Sequence, residues 1–143
     1  MTVASILAAK GRNVLTAGPD TPLSAIIDSL ARHKVGAIVV TNAAGAVVGI
    51  VSERDIVREI AGRGAGVLDE PVANCMTRKV VSCAESDTVN DVMNVMTVNR
   101  FRHLPVVSNG RLAGIVSIGD VVKRKIEQVE RDAEEMRNYI ATA

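Results

Sequence analysis

The sequence predicts a mixed α/β (α+β) fold of two pseudo-symmetric repeats packed sheet to sheet, followed by a C-terminal amphipathic helix. The first observation is a duplication, because "GIVSERDIV" at residues 49–57 returns as "GIVSIGDVV" at residues 114–122. The second is that helix-period apolar stripes alternate with short apolar runs in both copies. The third is a largely polar C-terminal segment with an apolar residue at every third or fourth position.

The duplication covers most of the chain. Residues 14–40 align without a gap on residues 80–106, a shift of 66. Apolar residues fall at i, i+3, i+4 and i+7 in both copies, which predicts an amphipathic helix in each. We expect these helices to have N-caps at Thr21 and Asp87, with Pro22 in the first helical turn. The stripes are Leu23, Ile26, Ile27 and Leu30 in the first copy and Val89, Val92, Met93 and Met96 in the second.

Each copy is predicted to run strand, helix, strand, hairpin turn, strand, helix. The apolar runs "GAIVV" and "HLPVV" are typical of buried strands. Asn109-Gly110 is the strongest hairpin signal, because both residues tolerate a positive φ. The glycine-rich stretch between the copies indicates a linker. The predicted division is residues 1–61 for the first domain, 62–70 for the linker, 71–126 for the second domain and 127–143 for a C-terminal helical extension.

Composition limits the classes of partner. The formal net charge of +1 argues against a nucleic-acid backbone binder, and the only aromatic residues, Phe101 and Tyr139, argue against base stacking. No apolar run approaches the roughly 20 residues that a membrane span requires. The N-terminus lacks a secretory signal pattern. We therefore expect a cytoplasmic protein that binds neither nucleic acid nor membrane.

Metal binding and catalysis are not predicted. Cys75, Cys83, His33 and His103 match no zinc spacing, and the two cysteines form no CxxC pair. No nucleophile elbow or pair of acids with an evident reason for split pKa values is present. The expectation is a protein that is not an enzyme, holds no metal and requires no cofactor.

The repeated pattern resembles a tandem pair of cystathionine-β-synthase (CBS) domains, a Bateman module. The resemblance is carried by "GAIVV…GIVSERDIV" and "HLPVV…GIVSIGDVV", with "VASIL" and "VANCM" as the lead-in segments, and spans residues 3–125. It implies a regulatory module that binds adenine nucleotides, AMP first and NAD(H) or ATP next. Such modules usually control an attached enzyme or channel, whereas a stand-alone signalling protein is expected here.

A Ser-x-x-Asp motif stands at the start of the second helix in each copy, at Ser52 and Asp55 and at Ser117 and Asp120. One interpretation is a capping box, in which these side chains satisfy the helix N–H groups. The resemblance implies a second interpretation, with the Asp on a ribose diol and the Ser near a phosphate. Both roles can be filled by the same side chains.

Cations precede the "LPV" strand of the second copy. The resemblance implies that Arg102 and His103 grip phosphate, and that Pro105 leaves local backbone available to a ligand by interrupting the sheet ladder. The alternatives are a surface charge for Arg102 and a core histidine for His103. The first copy has neither cation nor proline there, and Arg54 is its partial substitute.

Adenine requires apolar walls and backbone hydrogen bonds. Ile50 and Ile115, with Thr16 and Ser82 at strand ends, match base-contacting positions of the family. The alternative for the isoleucines is an ordinary core position. The competing function is a protein–protein scaffold or oligomerisation module that binds no nucleotide, and an unidentified protein partner is expected under either hypothesis.

The C-terminal segment predicts a homodimer. Its apolar positions are spaced 4, 3, 4, 3 and 4 residues apart, which is a heptad seam. The alternative is that this helix folds back on its own module. The seam consists of Val122, Ile126, Val129, Ala133, Met136 and Ile140.

Overall fold

The computed structural model of the protein describes residues 1–142. Strand β1 (Thr16–Ala17) pairs in parallel with β2 (Ala37–Thr41), and β2 pairs antiparallel with β3 (Val47–Ser52). Strand β4 (His103–Ser108) pairs antiparallel with β5 (Arg111–Ser117). The predicted mixed α/β class is therefore confirmed. The elements are α1 (Val3–Lys10), β1 (Thr16–Ala17), α2 (Leu23–His33), β2 (Ala37–Thr41), β3 (Val47–Ser52), α3 (Glu53–Arg63), two 3-10 helices (Ala65–Asp69 and Val72–Asn74), α4 (Val89–Asn99), β4 (His103–Ser108), β5 (Arg111–Ser117) and α5 (Ile118–Thr142).

The predicted N-caps of α2 and α4 are each one residue too early. Pro22, not Thr21, precedes α2, and it provides no side-chain cap. Thr88 caps α4 in a full capping box: its hydroxyl accepts from the Asp91 N–H at 3.0 Å, and the Asp91 carboxylate accepts from the Thr88 N–H at 3.2 Å. The Asp87 carboxylate instead accepts a backbone N–H in the preceding turn.

The strand predicted at the start of the second repeat is reduced to one bridge, between Cys83 and Val106. In the first repeat the Val39 N–H donates to the Leu15 carbonyl at 3.3 Å, which supports β1. Pro105 holds the position equivalent to Val39 and has no N–H to donate. The proline therefore removes the hydrogen bond that a longer strand needs. The hairpin at Asn109-Gly110 is confirmed by φ values of 53° and 75°.

Each repeat's core is completed by the segment that leads into the other repeat. Helix α1 packs into the core of the second repeat, and its first N–H, from Val3, donates to the Asp87 carbonyl at 2.9 Å. The segment before the second repeat packs into the core of the first, and Thr77 and Ile50 exchange two backbone hydrogen bonds. Val67, in the predicted linker, belongs to this core within a 3-10 helix. The exchange joins the two repeats into one folded unit.

Strand β2 is buried on both faces. Ile38 and Val40 belong to the core of the first repeat, whereas Ala37 and Val39 point to the opposite face and are also buried. Pro105, at the equivalent place on β4, is buried too. Burial of both faces is what packing of one sheet against the other requires.

Helix α5 continues well past the second repeat as one helix of 25 residues. Val121 is buried in the core, but the heptad seam is exposed from Val122 to Ile140. The helix therefore does not fold back on its own module, and Ala143 lies outside the described residues. Within residues 1–142, no helix is both long and apolar enough to cross a membrane.

Gly114 allows α1 to lie against β5, which yields a stability prediction. A Cβ there would come within 2.7 Å of Leu7 Cδ2, and Leu7 is itself buried. We expect Gly114→Ala to lower the free energy of unfolding by about 1–3 kcal/mol through overpacking. Gly62→Ala is the matched control, because a Cβ inside α3 meets nothing within 4 Å and should stabilise by about 0.5–1 kcal/mol. Urea denaturation measures both, and equal effects would contradict this packing.

Candidate functional site

A cavity of about 480 Å³ lies between the two repeats. This volume is within the usual range of small-ligand sites. The first repeat supplies the end of β3 and the first turns of α3, and the second repeat supplies its lead-in segment and the residues between α4 and β4. The lining residues are Gly36, Ala37, Ile50, Ser52, Glu53, Arg54, Asp55, Arg58, Thr77, Lys79, Val80, Val81, Asn99, Arg100, Phe101, Arg102 and His103.

The Asp55 carboxylate is held at the N-terminus of α3 by Ser52. Oδ2 of Asp55 accepts from the Ser52 N–H at 2.9 Å and from the Ser52 hydroxyl at 3.0 Å, and the Asp55 N–H donates to Ser52 Oγ at 3.3 Å. Within residues 1–142, no hydrogen bond reaches Oδ1. The capping interpretation is therefore correct for this motif, and one carboxylate oxygen is left to accept further hydrogen bonds.

The cavity is lined by a clear excess of positive charge. Five basic side chains face two acidic ones, which leaves three net positive charges with histidine neutral. Cations gathered around a cleft raise its affinity for anions. The basic residues are Arg54, Arg58, Lys79, Arg100 and Arg102, and the acidic ones are Glu53 and Asp55.

Arg102 lines the same cavity as Asp55, although the two belong to different repeats. Sequence alone paired it with the second copy. Its backbone is fixed, because the Ile118 N–H at the start of α5 donates to the Arg102 carbonyl at 2.8 Å. Gly36 is the equivalent residue in the first repeat, and its carbonyl accepts from the Glu53 N–H at 3.0 Å.

His103 also lies in the cavity, and its imidazole rests against Gly36. A Cβ on Gly36 would be 3.2 Å from His103 Cε1, so a larger residue there would press on the ring. Burial, and next the Lys10 ammonium, lower the pKa of His103 below its ordinary value. The imidazole is therefore neutral at pH 7.

Apolar side chains form another part of the lining, contributed by Ile50, Val80, Val81 and Phe101. Val81 also presents a backbone acceptor. In the first repeat the carbonyl of the equivalent residue, Leu15, accepts from the Val39 N–H. In the second repeat Pro105 stands in place of Val39 and has no N–H to donate. Within residues 1–142, no backbone N–H donates to the Val81 carbonyl.

The second Ser-x-x-Asp motif occupies a different environment. Asp120 Oδ2 accepts from the Ser117 N–H at 2.9 Å and from Lys10 Nζ at 2.7 Å. Lys10 also donates to the Ile115 carbonyl at 3.0 Å. Partial burial alone would raise the pKa of Asp120, but the Lys10 ammonium and the Ser117 N–H outweigh it and lower that pKa. The second motif is thus covered by the chain's own lysine.

The structure divides the predicted site residues into three groups. Thr16, Ser82 and Pro105 do not line the cavity, and Val80 and Val81 stand there in place of Ser82. Six predicted residues line the cavity: Ile50, Ser52, Arg54, Asp55, Arg102 and His103. The other three lie at the second motif, where Lys10 donates to the Ile115 carbonyl and to Asp120, and the Ser117 N–H also donates to Asp120.

Four basic residues at the two motifs were not predicted from the sequence: Lys79, Arg58, Arg100 and Lys10. In the sequence Arg58 and Arg100 are ordinary surface charges, because only the packing of the two repeats turns them to one cavity. Lys79 had a weak signal, because it directly precedes the apolar lead-in of the second copy.

Neither cysteine is positioned for reactivity. Burial raises the pKa of Cys83 to about 12 and that of Cys75 to about 11, so both remain protonated thiols at neutral pH. Among residues 1–142, no group of three or more His, Cys, Asp or Glu side chains is placed to hold a metal ion.

Comparison with known proteins identifies the family. The family model "CBS domain" matches residues 5–62 and 72–127. A CBS-domain containing protein from Agrobacterium tumefaciens is 50% identical, with a TM-score of 0.84 over 87% of this chain and 92% of that one. A 17.7 kDa protein from Acidianus ambivalens is 36% identical over 83% of this chain and 74% of its own length. The chain belongs to the CBS-domain family and carries two copies of the domain, as the repeat predicted.

A third relative was solved with a ligand. A CBS domain protein from Pyrobaculum aerophilum, complexed with AMP, is 28% identical, with a TM-score of 0.75 over 84% of this chain and 89% of that one.

The lowered pKa of His103 predicts a pH dependence of stability. Below about pH 6.5 the unfolded chain takes up a proton at this histidine that the folded chain resists, so acid favours unfolding. The free energy of unfolding should therefore fall more steeply between pH 7 and pH 5 in the wild type than in His103→Gln. Asp120 does not interfere, because its pKa is lowered from 3.8, below this window. Urea denaturation at three pH values measures the slopes, and parallel slopes would rule out the effect.

Proposed function

We propose that the protein is a regulatory module that binds an adenine nucleotide in the cavity between its repeats, with AMP as the first candidate and NAD(H) or ATP next. The observation that carries this proposal is the joining of the Asp55 carboxylate and five basic side chains in one cavity of about 480 Å³. The AMP complex of the relative from Pyrobaculum aerophilum supports the choice of ligand.

The two polar parts of a nucleotide have separate partners in this cavity. The ribose diol donates to the unoccupied oxygen of Asp55, as diols do to acidic residues in dinucleotide folds. The phosphate meets Arg102, which offers two parallel donors, together with Lys79 and Arg100 from the same repeat. Phosphate charge beside His103 also favours the protonated imidazole, which adds a donor.

The base occupies the apolar part of the cavity. Ile50, Val80 and Val81 provide its walls, and the carbonyl of Val81 accepts from the exocyclic amino group of adenine. A guanine presents a carbonyl oxygen at that position and would repel the Val81 carbonyl. The module therefore prefers adenine on the basis of one backbone acceptor.

The second motif is the weaker candidate for a nucleotide. A ribose reaches Asp120 only after Lys10 turns away, and the displaced ammonium is then available to a phosphate. Ser117 and Ile115 would keep their places beside the ligand.

The competing proposal is a scaffold or oligomerisation module that binds no nucleotide. One observation favours it: Thr88 and Asp91 form the same capping box as Ser52 and Asp55, yet they do not line the cavity. A capping box of this kind can thus cap a helix without binding a ligand. Only the charged residues that line the cavity distinguish the box at Ser52 and Asp55 from the box at Thr88 and Asp91.

We also propose a location and partners for the module. The module acts in the cytoplasm without catalytic activity of its own or a required cofactor, and it signals to an unidentified protein partner rather than to nucleic acid or a membrane. The small net charge and the near absence of aromatic residues support this choice of partners. We also propose a homodimer, supported by the exposed seam of α5.

A thermal-shift panel tests the proposal. The ligands are AMP, ADP, ATP, NAD, NADH and S-adenosylmethionine, each added in excess to the full chain. A ligand at 100 times its dissociation constant stabilises the folded state by about 2.7 kcal/mol, which raises the melting temperature by several degrees. At least one ligand should produce this shift. An unmoved melting temperature with all six would leave the scaffold as the better proposal.

The two capping boxes provide a matched pair of variants. Asp55→Asn and Asp91→Asn each keep an oxygen for the cap but lose the carboxylate charge. Asp55→Asn should weaken AMP binding by about tenfold or more, because a hydrogen bond to a charged group is lost. Asp91→Asn should bind AMP as the wild type does. Isothermal titration calorimetry measures both, and equal affinities for all three proteins would support capping as the only role of Asp55.

A further inference from the structure

The C-terminal half of α5 presents an apolar seam that no other part of residues 1–142 covers. Val129, Met136 and Ile140 are 55%, 60% and 67% exposed, although each is a large hydrophobic residue. Ile126 is more than half exposed as well. A contiguous stripe of this kind on a soluble helix marks an interaction surface.

The heptad register of the seam identifies the flanking positions. Its alternating spacings place Ile126, Ala133 and Ile140 at a positions, and Val122, Val129 and Met136 at d positions. The g positions then hold Lys125 and Asp132, and the e positions hold Lys123, Glu130 and Arg137.

A parallel pair of these helices brings opposite charges together. In a parallel dimer each g residue faces the e residue five positions later in the partner helix. Lys125 then faces Glu130, and Asp132 faces Arg137. The two-fold axis doubles both pairs, so four attractive pairs flank the seam.

An antiparallel pair with the same apolar overlap brings like charges together. That arrangement aligns e with e and g with g, centred near residue 131. Lys123 then faces Arg137, while Glu130 and Asp132 each face their own copy. Every pair of charged residues across that interface is repulsive, and flanking charges set the orientation of coiled coils.

We propose that the C-terminal halves of α5 from two chains form a parallel, in-register coiled coil. This inference rests on the proposed homodimer and is independent of nucleotide binding. Three heptads are marginal alone, so the adjoining module surfaces contribute to the same interface. Because α5 begins inside the second repeat, the parallel orientation places the second repeats of the two chains side by side.

Two charge-reversal variants test the orientation. The first carries Lys125→Glu with Asp132→Lys, and the second carries Glu130→Lys with Arg137→Glu, so both keep the net charge of the wild type. Each variant alone faces four like-charge pairs in the parallel dimer, and its dimer should dissociate about tenfold or more readily than the wild type. An equimolar mixture restores every attractive pair and should form a heterodimer of wild-type stability.

Analytical ultracentrifugation measures these equilibria, and circular dichroism verifies that each variant is folded. Disulfide capture provides a second measurement, because Ala133 faces its own copy only in the parallel register. Ala133→Cys should form a disulfide between chains, whereas Glu134→Cys, on the outer side of the helix, should not. The wild type is the reference for the native cysteines.

The outcomes separate the proposals. A monomeric wild type at micromolar concentration overturns the homodimer and the coiled coil together. A dimeric wild type overturns the parallel coiled coil alone if either variant dimerises as tightly as the wild type, or if Glu134→Cys is captured as readily as Ala133→Cys. AMP binding by calorimetry is expected to be the same in both charge variants, so a failure of this inference leaves the nucleotide proposal untouched.

Discussion

The packing of each lead-in segment on the other repeat is the contact on which the rest of the molecule depends. A repeat of about sixty residues has too little interior to be stable alone. Helix α1 supplies Ile6 and Leu7 to the second core, and the segment before the second repeat supplies Val72 and Met76 to the first. The same exchange carries Lys10 to the second motif. The cavity and the pairing of the second motif with Lys10 are therefore consequences of how the cores are completed.

Local patterns made much of the fold predictable. The repeat, the apolar stripes of α2 and α4 and the hairpin at Asn109-Gly110 depend on residues close in sequence. The absence of a strand before α4 was not predicted, because the residues there favour a strand. The proline that removes its hydrogen bond lies more than 20 residues later. The placement of Arg102 and Asp55 in one cavity could not be predicted, because it depends on how the two repeats pack against each other.

The two halves differ at a few equivalent positions, and these differences separate their chemistry. Where one half has an arginine facing the cavity, the other has a glycine that makes room for an imidazole. Within residues 1–142 the Val81 carbonyl accepts no backbone N–H, whereas the equivalent Leu15 carbonyl accepts one from Val39 in the sheet. A duplicated sequence has thus produced one cationic cavity and one Ser-x-x-Asp motif neutralised by an internal ion pair. The equivalent pairs, at the 66-residue shift, are Gly36 and Arg102, and Val39 and Pro105.

The exchanged lead-in segments also impose an order on assembly during synthesis. The buried cluster of the first repeat lies within residues 15–76, so all of its members are translated before the second repeat leaves the ribosome. Helix α1 is translated before both repeats but cannot dock at once, because its partners Asp87, Gly114 and Asp120 are translated more than 75 residues after it. Its apolar side of Val3 and Leu7 stays without a core until then, as contacts distant in sequence form late. A helix translated before both repeats is therefore among the last elements to dock.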